Sequence, residues 1–257
     1  MNTSITTAKK CRRTLSVLVI LFISIQSFAQ KPADWQLEKM PAVLETDFAL
    51  SALPPQLRPG ATVYLLDPNK GFYVARKGSN GFICFVTRTE WEWGAFRKDV
   101  AAAISYDAEG ARTIFPVYID VAAMRASGKF SALQIRNIVI DRIRKGIYKA
   151  PSRTGISYML GPVMRAYPGT PADPRVITMT MPHYMFYAPY MTEANIGGNS
   201  PSGGPILLGD AKVPEGYIIV PVGVMEKAKM MADNAPLLKR LIAYRSYFDP
   251  GPAEMHH

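Results

Sequence analysis

Cysteine and histidine are scarce in this chain, and acidic residues are outnumbered by basic ones, 20 to 30. Two cysteines, Cys11 and Cys84, and three histidines, His183, His256 and His257, occur in 257 residues. Two cysteines 73 positions apart exclude a zinc site built on cysteine pairs, a thioredoxin-like CxxC and a haem-attaching CxxCH. Runs of lysine and arginine interleaved with aromatics are missing too, so nothing points to nucleic acid. The one long apolar stretch, Leu15 to Ile25, is broken by Ser16 and Ser24. It is shorter than the ~20 residues of a membrane span.

That stretch follows Lys9, Lys10, Arg12 and Arg13 and precedes Ser27-Phe28-Ala29, with small residues three and one before Gln30. This three-part layout is that of a secretory signal peptide cleaved after Ala29. The strongly apolar core suits general secretion better than twin-arginine export. The reading makes residues 30–257 a single exported domain, periplasmic or extracellular, with no membrane span after cleavage. Losing residues 1–29 removes four basic residues and no acidic ones, so the net charge falls from +10 to +6. That charge favours anionic envelope components as partners, beside an unidentified small molecule. Cys11 leaves with the leader, so Cys84 has no partner for an intramolecular disulfide. A hydrophobic core must hold the chain together. No cofactor is indicated.

The patterning is α+β. Ala42 to Leu53 is expected to be a short helix stopped by Pro54-Pro55. Three β-rich runs follow, Ala61–Leu66, Phe72–Arg76 and Phe82–Thr87, separated by Gly, Asn and Pro turns. They are expected to form an antiparallel meander. Glu90 to Gly110 is irregular and ends in a turn signal, and Ile114 to Ile119 reads as a short strand. Val117 to Ser127 reads as a helix or as an extension of that strand. Ser131 to Lys145 has helical spacing, with Ser131 as N-cap and Ile135, Val139 and Ile143 in one stripe. Further strands are expected at Gly155–Leu160, Arg175–Met181, His183–Tyr187 and Tyr217–Val222, with a polar loop from Asn195 to Pro205. Helices are expected at Met225–Ala232 and Pro236–Phe248. Strands and helices without βαβ alternation indicate an antiparallel sheet packed against several helices.

The segment Met179-Thr-Met-Pro-His-Tyr-Met-Phe-Tyr187 is richest in chemistry. His183 is the only internal histidine and so the only internal imidazole available as a general base. It is the catalytic candidate of a hydrolase reading. If the segment is extended, Met179, Met181, His183 and Met185 share a face, a donor set suited to Cu(I). The plainer expectation is an apolar face filled by methionines, with His183 hydrogen-bonded. Tyr184, Tyr187 and Asn195 are candidate ligand contacts. So are Trp91 and Trp93 in Glu90-Trp-Glu-Trp93, which share a face if extended and suit stacking on sugar rings; anchoring a core edge is the commoner outcome. Cys84, inside Phe82-Ile-Cys-Phe-Val, reads as buried and inert. Asp107 and Glu109 are explained by a turn. Arg153, Arg165 and Arg175 read as solvated surface groups, although they suit an anion clamp.

Ser202-Gly-Gly-Pro205 resembles the nucleophile loop of trypsin-like proteases over four residues only. Pro201 and Ser200 stand where that family has aspartate and glycine, and no aspartate lies between His183 and Ser202. A broader likeness rests on Ala61 to Arg88, on Pro182-His-Tyr-Met-Phe-Tyr-Ala-Pro189 with Asn195-Ile-Gly197, and on Tyr217-Ile-Ile-Val-Pro221. These segments resemble exported bacterial proteins of unknown function. The resemblance implies export and a shared fold and transfers no site residues. Together these readings lead to an exported protein with a binding or envelope-associated role. The alternatives are a hydrolase based on His183 and a Met/His copper binder.

Overall fold

Proline sets the first boundaries. Pro41 precedes helix α1 (Ala42–Ser51), and Pro54 and Pro55 lie just beyond its end. The computed structural model describes residues 37–167, 175–198, 205–209 and 212–251, all within one compact unit, Lys31–His257. The expected leader, the terminal histidines and Ser202 lie outside the described residues. Among the described residues, no helix is long and apolar enough to cross a membrane.

Strands β1 (Thr62–Asp67) and β2 (Gly71–Arg76) form the expected hairpin. Strand β3 (Ile83–Thr87) does not complete a meander: it lies beside β1, parallel to it, on the side away from β2. The intervening turn is pinned to the start of β1, with Ser79 N donating to Gly60 O at 2.7 Å and Gly78 N to Thr62 Oγ1 at 2.9 Å. This carries the chain past β1. All five β3 residues are buried, whereas Tyr73, Val74 and Ala75 of β2 are exposed. The fully apolar strand takes an interior place and the half-exposed one the edge.

The irregular stretch contains a strand, β4 (Ala102–Tyr106), which pairs antiparallel with β3. Its alanines favour helix by propensity, but burial on both faces suits small side chains and overrides that preference. The apolar run Ile114–Ile119 is helical and not a strand. It spans the junction of α2 (Ala108–Thr113) and α3 (Phe115–Ser127), with Pro116 in the first turn of α3. Helix α4 (Ala132–Arg144) follows, and Ser131 caps it in a capping box with Gln134. The remaining strands are β5 (Ile156–Met159), β6 (Met164–Ala166), β7 (Ile177–Met179), β8 (His183–Tyr187), β9 (Ile206–Leu208) and β10 (Tyr217–Pro221). Helices α5 (Val224–Asp233) and α6 (Ala235–Tyr244) and a short 3-10 turn at Ser246–Phe248 close the described fold.

Eight strands make one mostly antiparallel sheet in the order β2-β1-β3-β4-β5-β8-β10-β9, while β6 and β7 form a separate pair. The class is α+β. One face of the large sheet carries Val63, Leu65, Cys84, Val86 and Ala103 against α1, α6 and Phe248. The other carries Phe85, Ile104, Tyr106, Met185, Tyr187, Tyr217 and Ile219, packed with Ile114 and Phe115. Helix α4 covers α3 from outside through Ile135 and Val139. Cys84 is fully buried and its thiol is pushed up to about 12, first by burial.

Candidate functional site

The loop between β3 and β4 is held from beneath by two arginines. Arg88, 3% exposed, donates through Nε to Val100 O at 3.2 Å and through Nη2 to Lys98 O at 3.3 Å. Arg125 of α3, also 3% exposed, donates to Arg88 O at 2.8 Å, Thr89 Oγ1 at 2.6 Å and Arg97 O at 3.0 Å. Its guanidinium lies over the Phe96 ring at 4.6 Å. A guanidinium fork can satisfy several loop carbonyls at once, which an ammonium cannot do with the same geometry. This fixes the segment carrying Glu90, Trp91, Glu92 and Trp93.

Those four residues are not extended. Trp91–Trp93 form a 3-10 turn ended by Gly94 in the left-handed region, at φ 60°. The two tryptophans therefore part company. Trp91 packs against the α3–α4 cluster, and Trp93 stacks on Tyr167 with ring centroids 4.3 Å apart and planes 15° from parallel. The shared stacking face expected for an extended segment does not form.

Beside this loop lies a group of tyrosines on the α2–α3 face of the sheet. Tyr106 and Tyr217 share a hydrogen bond at 2.9 Å, and Tyr118 of α3 is bonded to Tyr106. Tyr187 donates to Asp107 Oδ1 at 2.8 Å and to Ile156 O at 3.0 Å. Asp107 is also the N-cap of α2, accepting from Gly110 N at 2.9 Å. Two glycines make room for this pairing. A Cβ on Gly110 would fall 2.2 Å from Tyr187 Oη, and one on Gly155 would fall 2.5 Å from Asp107 Oδ2. Burial raises the pKa of Tyr106, Tyr118, Tyr187 and Tyr217 above the ordinary phenol value, so all four remain neutral hydrogen-bonding groups.

Three carboxyls are pushed above the ordinary carboxylate range. Glu215, just before β10, has buried carboxyl oxygens bonded to no other residue. Burial raises it to about 7, with the charge of Glu92 adding to the effect. Glu90 is pushed up to about 8, first by burial and then by Glu92, although its carboxylate accepts from Tyr167 N at 3.3 Å. Glu92 keeps solvent contact while the surrounding protein raises it to about 7. A recess beside this loop is lined by Trp91, Tyr118, Phe72, Thr87, Arg88 and Thr89. Tyr118 feels the charges of Glu92 and Glu90, and Tyr217 that of Glu215.

The residues singled out from sequence scatter. His183 is 2% exposed, and its Nδ1 lies 2.7 Å from Met181 O. Burial lowers its pKa. Its strand neighbours in register are Met159 and Pro221. Tyr184 lies on the opposite sheet face from Tyr187 and donates to Glu226 of α5. Asn195 is used locally, accepting from Thr192 N at 2.8 Å in a one-turn capping box. Met179 is on β7 and Met185 on β8, strands of different sheets, because Pro182 interrupts the segment. Arg165 is largely buried and paired with Asp99, so it is not a solvated group, whereas Arg153 is an exposed surface arginine that approaches Glu109 at 3.8 Å.

Of the sequence candidates, only Trp91 lines the recess; Trp93 is stacked on Tyr167 and Tyr187 is engaged by Asp107. Tyr106, Tyr118, Tyr217 and Glu215 were not visible as a group. The one local signal was the two-residue spacing of Glu215 and Tyr217. Comparison with family models, with curated proteins and with solved structures yields no match.

Proposed function

We propose that this chain is an exported binding protein, and that its ligand occupies the recess between Trp91 and Tyr118. The observation that carries this reading is the recess itself, where the Trp91 indole and the Tyr118 phenol meet the buried Arg88. The neutral phenols nearby supply oriented hydroxyls, and the indole and phenol rings supply apolar walls. This mixture of apolar lining and a few convergent polar groups is typical of small-molecule sites. Export is supported by the basic, apolar and small-residue layout of residues 9–29.

Two measurements test the proposal. The full chain is expressed in a bacterial host and recovered from the exported fraction. N-terminal sequencing is expected to begin at Gln30, and a chain still starting at Met1 would overturn export. The recovered protein is then screened for thermal stabilisation by sugars, amines and carboxylates. A ligand present at about 100 times its Kd stabilises by about 2.7 kcal/mol. The hit is expected to lose its effect in Tyr118→Phe and to keep it in His183→Gln. Carboxyls held near neutrality also suit general acid–base work. Turnover of an ester or glycoside by the protein, lost in His183→Gln or Glu90→Gln, would overturn the binding reading.

A further inference from the structure

We infer that Met159, Met164 and Met181 together hold a soft monovalent metal ion, Cu(I), through their thioether sulfurs, at a site separate from the recess beside Trp91.

The observation is a small cavity at the end of β5. Its volume is about 10 Å³, and its walls are Ala103, Met159, Gly161, Val163, Met164 and Met181. A volume of that order holds one water-sized body. The fold assembles the three methionines from three places. Met159 is the last residue of β5, and Met164 is the first of β6. Met181 lies in the link from β7 to β8. His183 ties that link down. Its Nδ1 lies 2.7 Å from Met181 O, and a carbonyl only accepts, so the ring nitrogen donates. Met159 is the cross-strand partner of His183 in register. The main chain carrying Met159 and Met181 is therefore fixed where their side chains meet. This donor set differs from the one read along the segment. Met181 is common to both, Met159 and Met164 come from earlier strands, and Met179 and Met185 do not line the cavity.

The wall chemistry selects the ion. Among the lining side chains, only the thioethers carry lone pairs. Thioethers are soft and uncharged, and they favour Cu(I) over harder cations. Calcium and magnesium ions require oxygen ligands. A singly charged ion is also the least costly to take out of water, and no carboxylate or thiolate lines the cavity to offset a second charge. Methionine ordinarily closes irregular gaps in a core by changing rotamer. Here three of them border a cavity of ionic size, and Ala103 and Gly161 keep the rest of its wall small. Met159 is buried, whereas Met164 and Met181 keep solvent contact, which gives an ion a way in.

The test is anaerobic calorimetric titration of the full chain with Cu(I), supplied in dilute acetonitrile to keep the ion reduced and soluble. One equivalent is expected to depend on the three methionines. X-ray absorption at the copper edge should show sulfur neighbours. Leucine is close to methionine in volume, so single substitutions are expected to leave the fold intact. Met164→Leu and Met181→Leu should each weaken binding at least about tenfold, since even the outer partners of a metal cost that much when lost. Met225→Leu, at a position 84% exposed on α5, should leave binding unchanged. Absence of Cu(I) binding, or a copper shell of nitrogen and oxygen alone, overturns the inference. So does binding undiminished when Met159, Met164 and Met181 are all replaced by leucine. Each of those results returns the three methionines to core packing and leaves the recess beside Trp91 untouched.

Discussion

Glu45→Gln is expected to make the protein more stable at about pH 8 and to change little at about pH 4. Glu45 lies in α1, 2% exposed, and accepts a hydrogen bond from Leu66 N at 2.9 Å. Burial pushes its carboxyl up to about 7 from an ordinary 4.5, against the lowering effects of that amide and of Arg88 and Lys39. A carboxyl whose pKa is higher folded than unfolded binds its proton more tightly in the native state. Its effect is absent below about 4.5 and grows as pH rises toward about 7. The protein therefore loses stability across that window. The shift corresponds to about 3 kcal/mol at most. Glutamine keeps the acceptor for Leu66 and removes the ionisation. Urea unfolding of both proteins across the range tests this; a difference independent of pH would show that Glu45 does not titrate in the folded state. Glu215 and Glu90, raised to about 7 and about 8, add slopes of the same sign. Glu109, lowered to about 2 chiefly by Arg112, acts oppositely and costs stability only as the solution becomes strongly acid. The stability maximum is expected at about pH 4 to 5.

Arg125→Met should destabilise the protein by about 3 kcal/mol or more, an estimate from three buried charge-assisted hydrogen bonds lost together. The acceptors left behind, Arg88 O, Thr89 Oγ1 and Arg97 O, lie in the loop that carries Trp91 and Trp93. The damage is therefore expected to be local as well as global. Trp93 should loosen from Tyr167, and its fluorescence should shift to the red before the main unfolding transition. Arg125→Lys is expected to recover less than half the loss, because a single ammonium cannot span acceptors set for a planar fork. For a domain of this size, the methionine variant should melt about 6 to 12 °C lower. A decrease of less than about 2 °C would show that the loop is fixed by its other contacts.

Much of the secondary structure was legible because local chemistry and tertiary demand agreed. Ser131 and Gln134 spell a capping box, and α4 begins there. Phe82 to Thr87 is continuously apolar, and β3 is interior. The failures arose where they disagreed. Ala101 to Tyr106 carries helix-favouring alanines, but lying between two helical layers required small side chains in a strand. Ile114 to Ile119 has β-branched and aromatic residues, but Pro116 and the Asp107 cap start helices. The neighbour of β1 was out of reach, because strand order depends on which side of a hairpin the chain passes. The recess was hidden for a similar reason. Trp91, Tyr118 and Phe72 come from a loop, a helix and a strand, and only the fold brings them together. His183 drew attention as a rarity, yet rarity says nothing of exposure, and its ring is spent on the Met181 carbonyl.

The parallel junction of β1 and β3 has a consequence for motion. Only Thr62 with Ile83 and Val63 with Cys84 join the β1–β2 hairpin to the rest of the sheet. Beyond those pairs the hairpin is kept in place by side chains, Val63 and Leu65 in the α1 cluster and Tyr64 and Phe72 against Phe115. Side-chain packing yields to breathing more readily than a full backbone ladder. The hairpin is thus a detachable foldon, able to open as a unit while strands β3 to β10 stay registered. Amide exchange in β1 and β2 would then report the grip of α1 and α3 rather than the global stability of the protein.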